Sequence, residues 1–330
     1  MWTNPRPDSR GVLHVTNGAS AAERIGTAGI AGDVLTWDDV LHEGPVPGKL
    51  GFAQLREVRA RFIADRGWAT EAEALERTSE RDAVLDAAGP RPEVVLWFEH
   101  DLYDQLQLIQ ILHRMAVQGP DPGRLSLACE AEYLGMMSID RVRALHARRG
   151  AVTIEQVRLA SDAWKAFSSP EASRIETLLE GDMSALPFLG PALRRHLEEF
   201  PSTRTGLSRS EQQALEVIDQ GTATIGEAFP KAHHQREDPI FLGDTVFAWY
   251  LERMSRVPEP LVVHDDGTPV AWPREQAGER AFWKRGVRLT DAGRAVLKGE
   301  ENNVALNGID RWLGGVHLEA PRGRPWIPPL

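Results

Sequence analysis

The sequence predicts an α/β protein with a Rossmann-like parallel-sheet domain, then an all-helical segment, then a winged-helix-like α+β domain. Three observations carry this expectation. Short apolar runs alternate with amphipathic helical runs up to about residue 150, and crossovers that long imply a parallel sheet covered on both faces. From Thr153 the periodicity is helical only. Beyond Ser208, three helical runs and two short strand-like runs end in Leu289-Thr290-x-x-Gly293-x-x-Val296-Leu297. The expected divisions are 1–150, 151–205 as a helical connector, 206–300, and a 301–330 tail packed back on the body. At 330 residues the chain is too long for one ordinary core.

Composition narrows the class. An apolar fraction of 42% with 26% charged residues belongs to a soluble globular chain. Lys plus Arg at 38 against Asp plus Glu at 48 gives a net charge of −10, which argues against a broad nucleic-acid surface. The single Cys129 excludes an internal disulfide framework and a Cys-based zinc site, and fits a reducing cytoplasm. The start is polar and Pro-broken, without a signal-peptide core. No stretch approaches the roughly 18–20 apolar residues of a membrane helix, so no membrane partner is expected.

Taken in order, Val12–Thr16 reads as a strand, Asn17-Gly18 as its turn, and Ser20 as the start of a helix to about Gly26. Ser20-x-x-Glu23 has capping-box spacing. A strand, a Gly turn and a helix start also form an anion cradle, so Asn17, Gly18 and Ser20 are candidate ligand-binding residues. Asp33–Trp37 is a second strand. It leads into Asp38-Asp39-Val-Leu-His42-Glu43-Gly44-Pro45, whose carboxylates and histidine are unusual in a mere connector; Asp38 as the cap of a one-turn helix is the plainer alternative. Phe52–Arg66 and Glu71–Ala88 read as amphipathic helices.

Val94–Phe98 is a buried strand that stops at Glu99-His100-Asp101, before the helical run Leu102–Met115. In open α/β sheets ligands bind beyond the strand carboxyl ends. Glu99, His100, Asp101, His42 and Asp39 are therefore the candidate catalytic residues. Glu43, Gly44 and Gln105 join the ligand-binding set. Asp104 follows Asp101 at capping distance, so Asp101 is equally a helix cap. A histidine among carboxylates suits acid–base work near neutral pH. A divalent metal on these groups is the minority reading, because H-x-x-x-H spacing is absent, and no cofactor is named by the sequence. His14 lies within a strand and reads as a core or supporting histidine.

Arg124–Cys129 is a fourth strand and Ile139–Arg148 a helix. Thr153–Phe167 is helical, Ser169-Pro170-Glu171 restarts a helix, and Pro191–Phe200 forms another. Residues 202–206 read as a linker. Ser208-x-x-Glu211 is a capping box opening Ser208–Asp219. Thr224–Phe229 and Gly243–Met254 are helices, and His233-His234 reads as part of a polar, solvated loop, with a ligand pair as the alternative. Leu261–Val263 and Val287–Leu289 read as paired strands. Trp312 with its Gly-Gly neighbour marks a tight packing turn, and Pro328-Pro329 a terminal arm.

Three groups of residues resemble the uncharacterised bacterial domain-of-unknown-function family 1835. They are His14-Val-Thr-Asn17-Gly18-x-Ser20-Ala21-Ala22, Asp39-x-x-x-x-Gly44-Pro45, and Leu96-Trp97-Phe98-Glu99-x-Asp101-Leu102 with Gln105. Ile309–His317 is similar to the tails of longer members. The resemblance brings no reaction or cofactor.

The expected function is a cytoplasmic enzyme or small-molecule-binding protein with a polar site at the sheet's carboxyl edge. A phosphorylated or nucleotide-like ligand is expected at Gly18–Ser20, and hydrolysis or group transfer is favoured over redox because the glycine-rich dinucleotide fingerprint is missing. The rival is a ligand-sensing transcriptional regulator. Its recognition helix would be Gly243–Met254, whose residues are mostly apolar where base contacts want Arg, Lys, Asn or Gln. A nucleic-acid partner is thus not favoured, and a homodimer or scaffold is the other use of such a domain.

Overall fold

A computed structural model describes residues 5–118, 122–221, 224–273 and 276–327. The expected Pro328-Pro329 arm lies outside them. The chain is mixed α/β with a five-stranded, mostly parallel sheet. Its strands are β1 (Leu13–Thr16), β2 (Asp33–Thr36), β4 (Val94–Phe98), β5 (Leu125–Cys129) and β6 (Gly150–Ala151), in the order β2-β1-β4-β5-β6. The first four are parallel and β6 is antiparallel to β5.

Alternation decides what each face buries. Leu13, Val15, Leu96 and Phe98 pack with Leu106, Ile109 and Leu112 of the helix Leu102–Gln118. His14, Val95 and Trp97 point the other way. Val95 and Trp97 pack with Ala21, Ile25, Val142 and Leu145 from the helices Ala19–Thr27 and Ile139–Arg148. His14 is a core residue: its Nδ1 accepts from the Trp97 indole at 3.1 Å, which leaves Nε2–H to donate to the Ala31 carbonyl at 3.2 Å.

The apolar cluster that contains Leu13 and Phe98 continues through Trp164, Leu193, Phe247 and Leu261 to Val296. It therefore runs through the first three expected divisions. The helices Ile154–Phe167, Ser173–Leu179 and Leu189–Leu197 follow the sheet. Then come the helices Arg209–Asp219, Ile225–Phe229 and Asp244–Ser255, the antiparallel pair β7 (Val262–His264) and β8 (Val287–Leu289), and the helix Asp291–Lys298. Ser208 caps its helix as its spacing predicts: Oγ accepts from Glu211 N at 3.2 Å, and Glu211 answers the Ser208 N–H at 2.8 Å. Ser208→Ala is expected to lower unfolding stability by about 1 kcal/mol, measured by urea denaturation.

The structure corrects several readings. Ser20 is not a cap, because the helix begins at Ala19 behind Gly18 and Ser20 already sits inside it. Asp38 caps no helix; residues 37–43 form a non-helical turn. The 202–206 stretch is a packed turn in which Ser202 and Thr205 bond one another and Thr205 is buried. His233 is buried, and its Nε2 accepts from the Phe241 and Leu242 amides at 3.1 and 2.8 Å.

The largest departure is at the tail. Ile309–Gly314 (β9) and Val316–Ala320 (β10) form a hairpin, and β9 pairs in parallel with β3 (Gly44–Pro45). The Gly314-Gly315 turn is as tight as expected. A Cβ on Gly315 would lie 2.0 Å from the Ser168 carbonyl oxygen.

Candidate functional site

The carboxyl ends of β1 and β4 bring Asn17 and Glu99–Gln105 together. Asn17 Nδ2 donates to Asp104 Oδ2 at 2.8 Å. The other oxygen of Asp104 accepts the Glu99 amide at 2.7 Å. Asp101 accepts the Asp104 amide at 3.1 Å, so it does cap the helix start. Glu99 Oε1 accepts the Leu134 amide at 2.6 Å, and Gln105 Nε2 donates to the Glu99 carbonyl at 2.6 Å. One oxygen each of Glu99, Asp101 and Asp104 lies within 4.8 Å of the others. That spacing can accommodate a divalent cation, although both oxygens of Asp104 already accept a protein hydrogen bond.

What sets these three apart is their charge environment. All are buried. The other buried acids, Asp39, Glu43, Asp82, Glu199, Glu211 and Glu237, each pair with at least one arginine. Among the described residues no ion pair reaches Glu99, Asp101 or Asp104. A buried carboxylate without a cation holds its proton. Burial, followed by repulsion from Asp104, raises Glu99 to about 8. Burial raises Asp104 to about 7, against the Asn17 bond that favours its charged form. Asp101 is raised well above the usual carboxylate range by burial, then by Asp104 and Glu99.

The surrounding wall comes from distant segments. His100 lies 5.4 Å from the Tyr133 ring and 5.9 Å from Phe188. Burial lowers its pKa and Asp238 opposes this. The Tyr133 hydroxyl donates to the Ile240 carbonyl at 3.1 Å and accepts the Ile240 amide at 2.5 Å. Behind Gln105 and Cys129 opens a cavity of about 210 Å³, walled by Leu108, Leu127, Leu186 and Phe188.

The 38–44 loop meets this region differently from its expectation. Asp39 is held by Arg59, at 2.6 Å from Nη2 and 3.1 Å from Nε, and Arg59 also binds the Glu43 and Val40 carbonyls. Glu43 is buried against Arg311 and the Tyr250 hydroxyl. Gly44 has φ 82°, and its absent Cβ leaves room for Phe62, which would otherwise be 2.7 Å away. These three residues therefore shape and anchor the loop. His42 packs edge-on to Tyr103 and Phe241, at 6.0 and 5.3 Å. Burial lowers it to about 3, so it is neutral at pH 7 and has no titration near neutrality. Ser20 is exposed and Gly18 is half-buried.

Sequence reasoning placed Asp104 only by its capping distance, yet it is the centre of the site. Its signal was the third acid of Glu99-x-Asp101-x-x-Asp104 on a run otherwise fit for burial. Arg59 and Tyr133 carried no local signal, because their roles depend on segments remote in sequence. No protein-family model matches this chain, and no curated protein matches it.

Proposed function

We propose that the chain is an enzyme of hydrolase or transferase type, in which Glu99, Asp101 and Asp104 share protons at the carboxyl edge of the sheet and Glu99 is the general acid. The observation that supports this reading is the absence of a cationic partner at these three buried acids alone. An acid held near 8 is protonated at neutral pH and can give a proton to a leaving group. Asn17, bonded to Asp104, favours the charged form of that neighbour, which can accept a proton within the cluster. The helix Ala19–Thr27 has no capping side chain at Gly18, which supports an anionic, phosphorylated or nucleotide-like group there.

We read the parallel sheet with its helices as Rossmann-like and residues 209–298 as winged-helix-like. A DNA-reading role draws no support from Asp244–Ser255, in which Val246, Phe247, Trp249, Tyr250 and Leu251 are buried.

The test is turnover of p-nitrophenyl phosphate, p-nitrophenyl acetate and ATP by the full chain across pH 5–10, with and without Mg²⁺. One of them is expected to be turned over with a rate that falls as pH rises past the Glu99 value. Glu99→Gln should remove roughly 10²–10⁴-fold of that rate. Undiminished turnover in Glu99→Gln, or none of the three being turned over, would sink the reading.

A further inference from the structure

A second cavity, sharing no residue with the carboxyl cluster, lies where the ends of two helices meet. It has a volume of about 380 Å³ and is lined by Arg66, Trp249, Arg253, Arg256, Trp272 and Asp310, among others. Arg66 follows the helix Phe52–Asp65, and Trp249 and Arg253 belong to Asp244–Ser255. Both halves of the chain therefore build it.

Arg66 is the anomaly. Among the described residues, the other arginines that are not exposed each contact a carboxylate or a carbonyl oxygen, as Arg24, Arg91, Arg149 and Arg236 do. Arg66 makes no side-chain hydrogen bond or ion pair. It lies over two rings: the guanidinium carbon is 4.9 Å from the Phe62 ring centre and 4.8 Å from that of Trp249. Its N–H edge is unused, and Nε is buried without a partner. Arg253, 5.3 Å from the same indole, also has a buried Nε without a partner, although its Nη2 reaches Glu211. Two guanidinium groups over one indole, each with an unused N–H, call for acceptor oxygens. A guanidinium positioned by aromatic rings is pre-organised for a carboxylate or phosphate.

We propose that this cavity binds a small organic oxyanion, a carboxylate or phosphate monoester carrying a flat ring. The oxyanion is bound by the Arg66 edge and the ring lies against Trp272, since Arg66 and Arg253 already lie over Trp249. Arg256 leans on Glu252 at 3.3 Å, and Asp310 takes His317 at 2.8 Å. Asp65 and Asp310 line the cavity and favour the charged form of Arg66 from a distance, but among the described residues no carboxylate lies within ion-pair distance of its N–H edge. Because the walls come from residues 65–66 and 249–310, occupancy ties the two regions together away from the proposed catalytic acids.

The experiment uses the full chain, with benzoate and adenosine monophosphate as oxyanion probes and benzamide as the uncharged ring. Tryptophan fluorescence and thermal shift give the readouts. Benzoate or adenosine monophosphate is expected to quench tryptophan emission and raise the melting temperature, with benzamide roughly tenfold weaker or more. Arg66→Met keeps an unbranched chain between the rings while removing the donors, and should weaken the probe by a similar factor. Val257→Trp, which fills the cavity with the guanidinium left in place, should do the same, and serves if Arg66→Met fails to fold. Glu99→Gln should bind benzoate, which is not nucleotide-like, as the parent does, and this separates failure here from failure of the enzymatic reading. Absence of quenching by both oxyanions, or equal affinity in the folded variants, overturns the proposal.

Discussion

Arg311→Met is expected to lower unfolding stability by about 3–5 kcal/mol, a large fraction of the stability of an ordinary domain. Arg311 is buried and binds Glu43, the Glu199 carbonyl at 3.2 Å and the Tyr250 hydroxyl at 3.2 Å. Glu43 and Glu199 are both 0% exposed. Removing the guanidinium leaves Glu43 with only the Tyr250 hydroxyl, and a buried charge without a counter-ion is expensive. Glu199 keeps Arg195 at 2.8 Å and the Ser210 hydroxyl at 2.5 Å, which limits the damage to one side of the network. The double variant Glu43→Gln/Arg311→Met should lose clearly less than the sum of the two single changes. Urea denaturation of all four proteins gives the coupling. A loss below about 1 kcal/mol for Arg311→Met would put the pair in the range of a solvated surface bridge and refute the account.

Glu99→Gln is expected to stabilise the protein at alkaline pH while removing its proposed acid. The sign follows from linkage. Glu99 and Asp104 are raised to about 8 and about 7 in the folded chain, above the ordinary carboxylate values of the unfolded chain. Between the unfolded and folded values the folded state binds more protons than the unfolded state, so stability falls as pH rises. This contribution is fully present below the ordinary carboxylate range, is lost progressively through pH 5 to 8, and is flat above. The amide oxygen introduced by Glu99→Gln can still accept from Leu134 N, so the variant keeps the bond and removes one titration. It should match the parent near pH 5 and exceed it by on the order of 2 kcal/mol at pH 8.5. Equal differences at both pH values would show that the carboxyl is not held protonated. A site that costs stability is what a functional cluster of like charges entails.

Much of the scaffold was legible. The strands at 13–16, 33–36, 94–98 and 125–129 and the helix Ile139–Arg148 follow from apolar runs, turn residues and caps, all of which act within a few residues. The expectation that Asn17 meets the Glu99–Gln105 segment rested on strands sharing one rim, and the Asn17–Asp104 bond fits it. The tail was read as packing without its strands. In Ile309-Asp310-Arg311-Trp312-Leu313 the inward positions include Arg311, and a charge on the buried face hides the alternation that marks a strand. The 38–44 loop was read as chemistry because local sequence cannot show that Arg59 claims Asp39 and that Arg311 and Tyr250 claim Glu43.

The sequence by itself determined the elements, most of their ends and the edge of the sheet at which polar residues gather, because periodicity, capping and turn chemistry are local. Only the tertiary structure decided which acids are neutralised and which are not. Glu43 and Arg311 are 268 residues apart, while Glu99, Asp101 and Asp104 are close in sequence to one another and, among the described residues, have no ion-pair partner. A carboxyl group's charge state depends on the dielectric and the counter-charges around it, and those are supplied by whichever segments the fold brings alongside.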